Sequence, residues 1–187
     1  MNELLWYVSR ATGLVSMVLL TTTFVLGMVL SGKRSTNPES RTVASGLHRW
    51  LGLGMVVFLV GHVTTAIVET YVSIGPLSAF IPFTSGFSPL WVGLGTLAFD
   101  LVLAVSITSA LRHRLSERAW RGVHLTSYLL WPLALAHGFM LGTSDQPLLR
   151  GITVLCGVAG AVGVAWRMQA THHDREQRRT IAARGWA

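Results

Sequence analysis

The stretch HRWLGLGMVVFLVGH, residues 48–62, is apolar between its ends and carries a histidine at each of them. A second stretch, AWRGVHLTSYLLWPLALAH at residues 119–137, repeats the arrangement with His124 and His137. Thirteen residues separate His48 from His62, and twelve separate His124 from His137. A helix rises ~1.5 Å per residue, so the members of each pair lie roughly 20 Å apart along its axis. Two histidine layers result, one near each face of a bilayer. Imidazole is the usual axial ligand of haem iron, and two helices offering one histidine per layer can clamp two haems, one above the other.

Working outward, the composition favours a membrane protein: 51% of the 187 residues are apolar and 12% are charged. Soluble domains average about 25% charged. Five apolar stretches, at residues 5–30, 48–69, 90–111, 120–141 and 149–168, approach the ~20 residues a spanning helix needs. The expected fold is an all-α membrane protein, a five-helix transmembrane bundle over residues 1–168, followed by a polar cytoplasmic tail, 169–187. The first stretch opens with Glu3 rather than a basic run, so it reads as a retained helix and not a signal peptide.

Lys and Arg collect in alternate loops, and that bias sets the expected orientation. Lys33, Arg34 and Arg41 follow the first stretch, Arg112, Arg114, Arg118 and Arg121 follow the third, and Arg167, Arg175, Arg178, Arg179 and Arg184 follow the fifth. These belong on the cytoplasmic side. The loop from Tyr71 to Pro89 has no Lys or Arg, the loop around Asp145 has only Arg150, and the N-terminus has only Arg10. These face outward, which puts the N-terminus outside and the C-terminus in the cytoplasm. The net charge of +7 gives no nucleic-acid reading, because the basic residues sit beside helix ends, where topology and anionic lipid account for them.

In this topology the second and fourth helices both run from inside to outside, so His48 shares a depth with His124, and His62 with His137. At 100° per residue, fourteen steps end ~40° short of four turns and thirteen end ~140° short. The second helix therefore keeps its histidines on one face and the fourth does not. Pro132, between His124 and His137, removes a backbone donor and is the candidate for absorbing the mismatch. Gly46, Gly52, Gly54 and Gly61 thin the second helix beside its histidines, either as room for a porphyrin face or as ordinary membrane helix packing. Gly157, Gly160 and Gly163 in the fifth helix read as packing.

At this point the two quoted stretches resemble the ferric reductase-like transmembrane domain, a family shared by ferric reductases, NADPH oxidases and a bacterial quinone-linked haem subunit of methionine sulfoxide repair. The resemblance implies two b-type haems, with His48 and His124 binding the inner and His62 and His137 the outer. It also implies electrons moving from the cytoplasmic side to an outer acceptor, such as a ferric chelate or a partner protein, across a bacterial-type plasma membrane. It favours Arg10 as a cation for haem propionates, and an aromatic residue near Trp131 between the layers. The sequence has no C-x-x-C-H motif for covalent haem and no Gly-rich dinucleotide fingerprint. A flavoprotein reductase or a membrane quinol is therefore the expected donor.

The residues leave several roles open. Arg49, Arg118 and Arg121 at the inner depth are either propionate partners or topology signals. Trp131, like Met55 midway along the second helix, is either a bridge for electrons or a space-filling side chain. Each imidazole needs a hydrogen bond at its other nitrogen, and the carbonyl one turn earlier in the same helix is the expected partner. Asp100 lies mid-membrane, as a proton relay, a quinol partner or a protonated acid, and Glu69 is expected to reach water. His113, His172 and His173 read as loop and tail residues, and Cys156 as a buried free thiol. The proline- and phenylalanine-rich outer loop folds over the outer haem or lies in the interface. A transporter using intramembrane His and Asp, and a structural subunit, are the competing classes.

Overall fold

The computed structural model of the chain describes residues 2–31, 38–69, 72, 74–142 and 146–184, and the side chains of all of these except 2–3 and 171–184. Lys33, Arg34, Tyr71 and Asp145 lie outside the described residues, as do the side chains of His172, His173 and the tail arginines from Arg175 to Arg184. The described residues form six α-helices and no strand: α1 Asn2–Ser31, α2 Pro38–Val68, α3 Pro89–Ala110, α4 Glu117–Leu125, α5 Ser127–Leu141 and α6 Pro147–Arg184. Prolines open α2, α3 and α6, the position where a missing N–H costs nothing and the fixed φ suits the first turn. Ser116 caps α4 by accepting the Ala119 N–H at 3.2 Å, and Glu117 places a carboxylate against the positive end of its dipole.

Four helices are long and apolar enough to cross a membrane: Leu4–Ser31, Pro38–Val68, Pro89–Ala110 and Pro147–Ala170. The fourth expected span, residues 120–141, is divided at Thr126 into α4 and α5, so it is not a single unbroken helix. Thr126 is still helical in φ and ψ, but its N–H bonds to the Val123 carbonyl at 3.0 Å, an i to i−3 turn. Such a turn advances ~120° per residue instead of 100°. Three residues wound this way recover ~60° of the ~140° by which His124 and His137 fall out of phase. The break at Thr126, rather than Pro132 alone, thus contributes to the alignment; Pro132 lies inside α5.

Helix α1 lies at the centre. It packs along α2 on one side and against α5 and α6 on the other, while α3 packs against α5 and α4. Two clusters form the core. Phe24, Met28 and Trp131 join α1 to α5, with Val164 of α6 against them, and Met55, Val102 and Leu130 join α2, α3 and α5. A Cβ added to Gly160 would collide with the Trp131 ring and one added to Gly163 with Met28, so both glycines make room for close packing, as expected. The guanidinium of Arg167 donates to the Ser31 carbonyl at 3.2 Å and ties α6 to the end of α1. Exposed Leu53, Val57, Leu155 and Val162 give the outside an apolar surface suited to lipid. The tail continues α6 as helix to Arg184.

Candidate functional site

Helices α1 and α2 run antiparallel, and their registers match: Ser9 and Thr23 are fourteen residues apart, as are His62 and His48. The Nδ1–H of His62 donates to the Ser9 carbonyl at 2.8 Å, and that of His48 to the Thr23 carbonyl at 3.1 Å. On the other wall, the Nδ1–H of His137 donates to the Trp91 carbonyl of α3 at 2.8 Å. Expectation placed these acceptors in each histidine's own helix, but they come from the neighbouring one. The reason is that a helix carbonyl is already engaged along its own axis, whereas its second lone pair points sideways at the adjacent helix. Each bond puts the ring proton on Nδ1, leaving the Nε2 lone pair free for a metal.

Space for these rings comes from glycine. Gly13, Gly27 and Gly95 each stand four residues beyond the accepting carbonyl. A Cβ added to Gly13 would lie 2.8 Å from Nδ1 of His62, and one on Gly27 would lie 3.2 Å from Cε1 of His48. At Gly95 it would collide with the His137 ring. The glycines of α2 do something else: a Cβ added to Gly52, Gly54 or Gly61 would lie 3.8–3.9 Å from Thr23, Leu19 or Thr12 of α1, and one on Gly46 would meet nothing within 4 Å. Gly52, Gly54 and Gly61 thus serve the packing of α2 against α1. Sequence reading missed Gly13, Gly27 and Gly95, although the fourteen-residue interval between the first two repeats that of His48 and His62.

The four histidines come together as two pairs. His48 and His124 have ring centres 6.2 Å apart with planes at 56°, and His62 and His137 have centres 6.2 Å apart with planes at 79°. A metal–imidazole bond is about 2.0 Å and the ring centre lies about 1.1 Å further out, so two imidazoles on one metal have centres about 6 Å apart. The spacing of both pairs fits a shared axial metal. Among the described residues no three His, Cys, Asp or Glu side chains gather as a metal-holding group. Two imidazoles suffice when a macrocycle supplies the remaining donors.

A cavity of about 280 Å³ opens around His62 and His137. Gly13, Gly95, Met55 and Leu130 line it, and Arg10 and Arg150 bring two cations to it. The Arg10 guanidinium lies 4.5 Å over the Trp6 ring, and its Nε is buried without a partner. That arrangement fits a carboxylate-bearing apolar ligand. Arg150, 4.5 Å over the Phe139 ring, went unrecognised in the sequence because a lone loop cation carries no distinguishing pattern. Val72, Ile74, Ser78, Ala79 and Phe87 of the outer loop also line the cavity, so this loop walls the site. Glu69, expected to reach water, is buried at 5% exposure in the same lining.

The other expected site residues are placed less centrally. Arg49 is exposed on α2. Arg121 is exposed on α4 and pairs with Glu117 at 2.5 Å. Trp131 is buried, donates from Nε1 to Thr21 Oγ1 at 3.2 Å and stacks on Phe24 with ring centres 5.1 Å apart. Met55 sits against Val102 and Leu130, between the two histidine layers. Asp100 is half-buried on α3, and Cys156 is a buried free thiol.

A family model described as the ferric reductase like transmembrane component matches residues 12–135. The matched span contains His48, His62 and His124 and stops just short of His137. No curated protein and no solved structure matches the chain.

Proposed function

The chain belongs to the ferric reductase-like transmembrane family, and from that premise we propose that it holds two b-type haems, one between His48 and His124 and one between His62 and His137. The observation that carries this reading is the repeated 6.2 Å separation of the paired rings. Held by two imidazoles each, such groups would supply one-electron transfer, and His48, His62, His124 and His137 would serve as their protein ligands.

Each part of the protein then has a task. The Nε2 atoms ligate, while Ser9, Thr23 and Trp91 fix three of the rings through Nδ1. Arg10 and Arg150 neutralise carboxylates of the outer group, while at the inner depth Arg49 is exposed and Arg121 is held by Glu117. The loop residues Ile74 and Phe87 exclude water from the outer site. Met55 and Leu130 separate the two layers, and Trp131 stands as a rigid, polarizable plane on the α1 and α6 side, suited to an electron's passage.

In this reading α4 and α5 together make a fifth crossing, with the N-terminus outside and the C-terminus in the cytoplasm of a bacterial-type cell. Electrons enter the inner site from a flavoprotein or a quinol and leave the outer site toward a ferric chelate or a partner protein. Purified full-length protein is expected to show a reduced b-type visible band and two haems per chain. His62→Ala should lower that count to one. A colourless protein, correctly inserted and supplied with haem, would defeat the proposal.

A further inference from the structure

Three of the four imidazoles are held by one device, and the fourth is not. His48, His62 and His137 each donate to a carbonyl of a neighbouring helix beside a glycine. The Nδ1 of His124 is buried with no hydrogen-bond partner among the described residues. The α3 backbone that serves His137 through Trp91 has no equivalent opening further in. Thirteen residues inward of Trp91, the interval between His124 and His137, lies Ala104, and four beyond it stands Thr108 where the other three sites have glycine. The Thr108 hydroxyl donates to the Ala104 carbonyl at 2.6 Å and to the Val105 carbonyl at 3.2 Å. The acceptor at the corresponding position is thus already engaged by a hydroxyl of its own helix.

What holds His124 instead is a stack. Trp120, one turn earlier on α4, lies over its ring with centres 5.0 Å apart and planes at 26°. The Arg112 guanidinium lies 4.4 Å over the Trp120 ring in turn. A bond from Nδ1–H to a carbonyl fixes the ring and also raises the basicity of the ligating nitrogen. A stack fixes the ring without that second effect. We infer that Trp120, backed by Arg112, is the positioning residue of His124, and that this makes the inner site electronically unlike the outer one. The inference rests on the two-haem reading. A less basic ligand and a nearby cation both favour the reduced metal, so both raise the inner site's reduction potential above what a carbonyl-bonded His124 would give.

The test uses the full-length, haem-loaded protein, read by electron paramagnetic resonance of the oxidised form and by redox titration of the visible band. Inter-ring angle governs the low-spin signal, so the 56° and 79° pairs should give two resolved signals in the unmodified protein. Fewer than two low-spin haems there would defeat the two-haem reading, before any variant is compared. Trp120→Leu should move one signal and leave the other in place, and Trp120→Phe should bring it back. Two unmoved signals in Trp120→Leu overturn the inference. So does a failure of Trp120→Phe to restore the signal, because Trp120 Nε1 is itself buried without a partner and the N–H, not the ring, would then matter. Should Trp120→Leu lose its inner haem, Arg112→Gln decides. It should lower the midpoint of one haem only, and an unchanged midpoint overturns the inference.

Discussion

Beside the histidines an added methyl group would meet an imidazole ring, whereas on Gly52, Gly54 and Gly61 of α2 it would make only ordinary contacts with α1. Adding one at Gly95 or Gly13 drives a Cβ into an imidazole ring, whereas at Gly27 the approach is 3.2 Å and a small shift relieves it. Overpacking of this kind costs about 1–3 kcal/mol. Translated into affinity, that is roughly a five- to 150-fold weaker hold on the outer haem in Gly95→Ala and Gly13→Ala. Gly27→Ala should show a smaller loss confined to the inner haem, and Gly46→Ala none. Haem content per chain, measured with the reduced spectrum, checks the order; equal loss in all four would contradict the cradle. A second residue-scale expectation concerns Trp131. Thr21→Val removes the partner of its buried Nε1 and should lower stability by about 1–3 kcal/mol, seen in the thermal melt of the detergent-solubilised protein. The four histidines were legible in the sequence because imidazoles are rare in apolar helices. The three glycines were not, since a glycine facing a ring and one facing a helix look alike until the neighbour is known.

At the scale of elements, α1 and α2 need only stay straight, because fourteen residues bring the same face round on both. The α4 and α5 segment has thirteen residues to do the same work, and it breaks at Thr126. Inserting one alanine after Thr126 would turn His137 by ~100° relative to His124. The inserted variant should keep one haem and lose the other, while Pro132→Ala, which restores an N–H inside α5 and leaves the turn alone, should keep both. Retention of both haems in the insertion variant would mean that the turn does not set the phase. Periodicity exposed the mismatch but not its location. A proline is a visible helix breaker, whereas a threonine whose N–H shifts to the i−3 carbonyl has no sequence mark.

For the whole molecule, the arrangement that matters is who stands behind whom. Helix α1 backs both histidines of α2, α3 backs His137 of α5, and the two histidine-bearing walls face each other across the gap. The charge bias across the loops predicts that a reporter fluorescent only in the cytoplasm lights up when fused after Ala187, and stays dark when fused before Met1. Because the sequence carries no dinucleotide fingerprint, NADPH alone should leave the oxidised spectrum unchanged, and a reduced flavoprotein or quinol should convert it. Rapid reduction by NADPH alone would remove the separate donor from the account.

The sequence by itself determined that the chain is a helical membrane protein, that its histidines fall in two layers, and which pairs share a depth. These follow from hydropathy and from helix rise, quantities fixed by one segment at a time. Tertiary structure decided the Nδ1 acceptors of His48, His62 and His137, the glycines that make room, the Arg150 contribution, the break at Thr126 and the exceptional footing of His124. Each of these is a relation between two helices, and the relative rotation of neighbouring helices is set by how all their side chains interlock, which no single segment encodes.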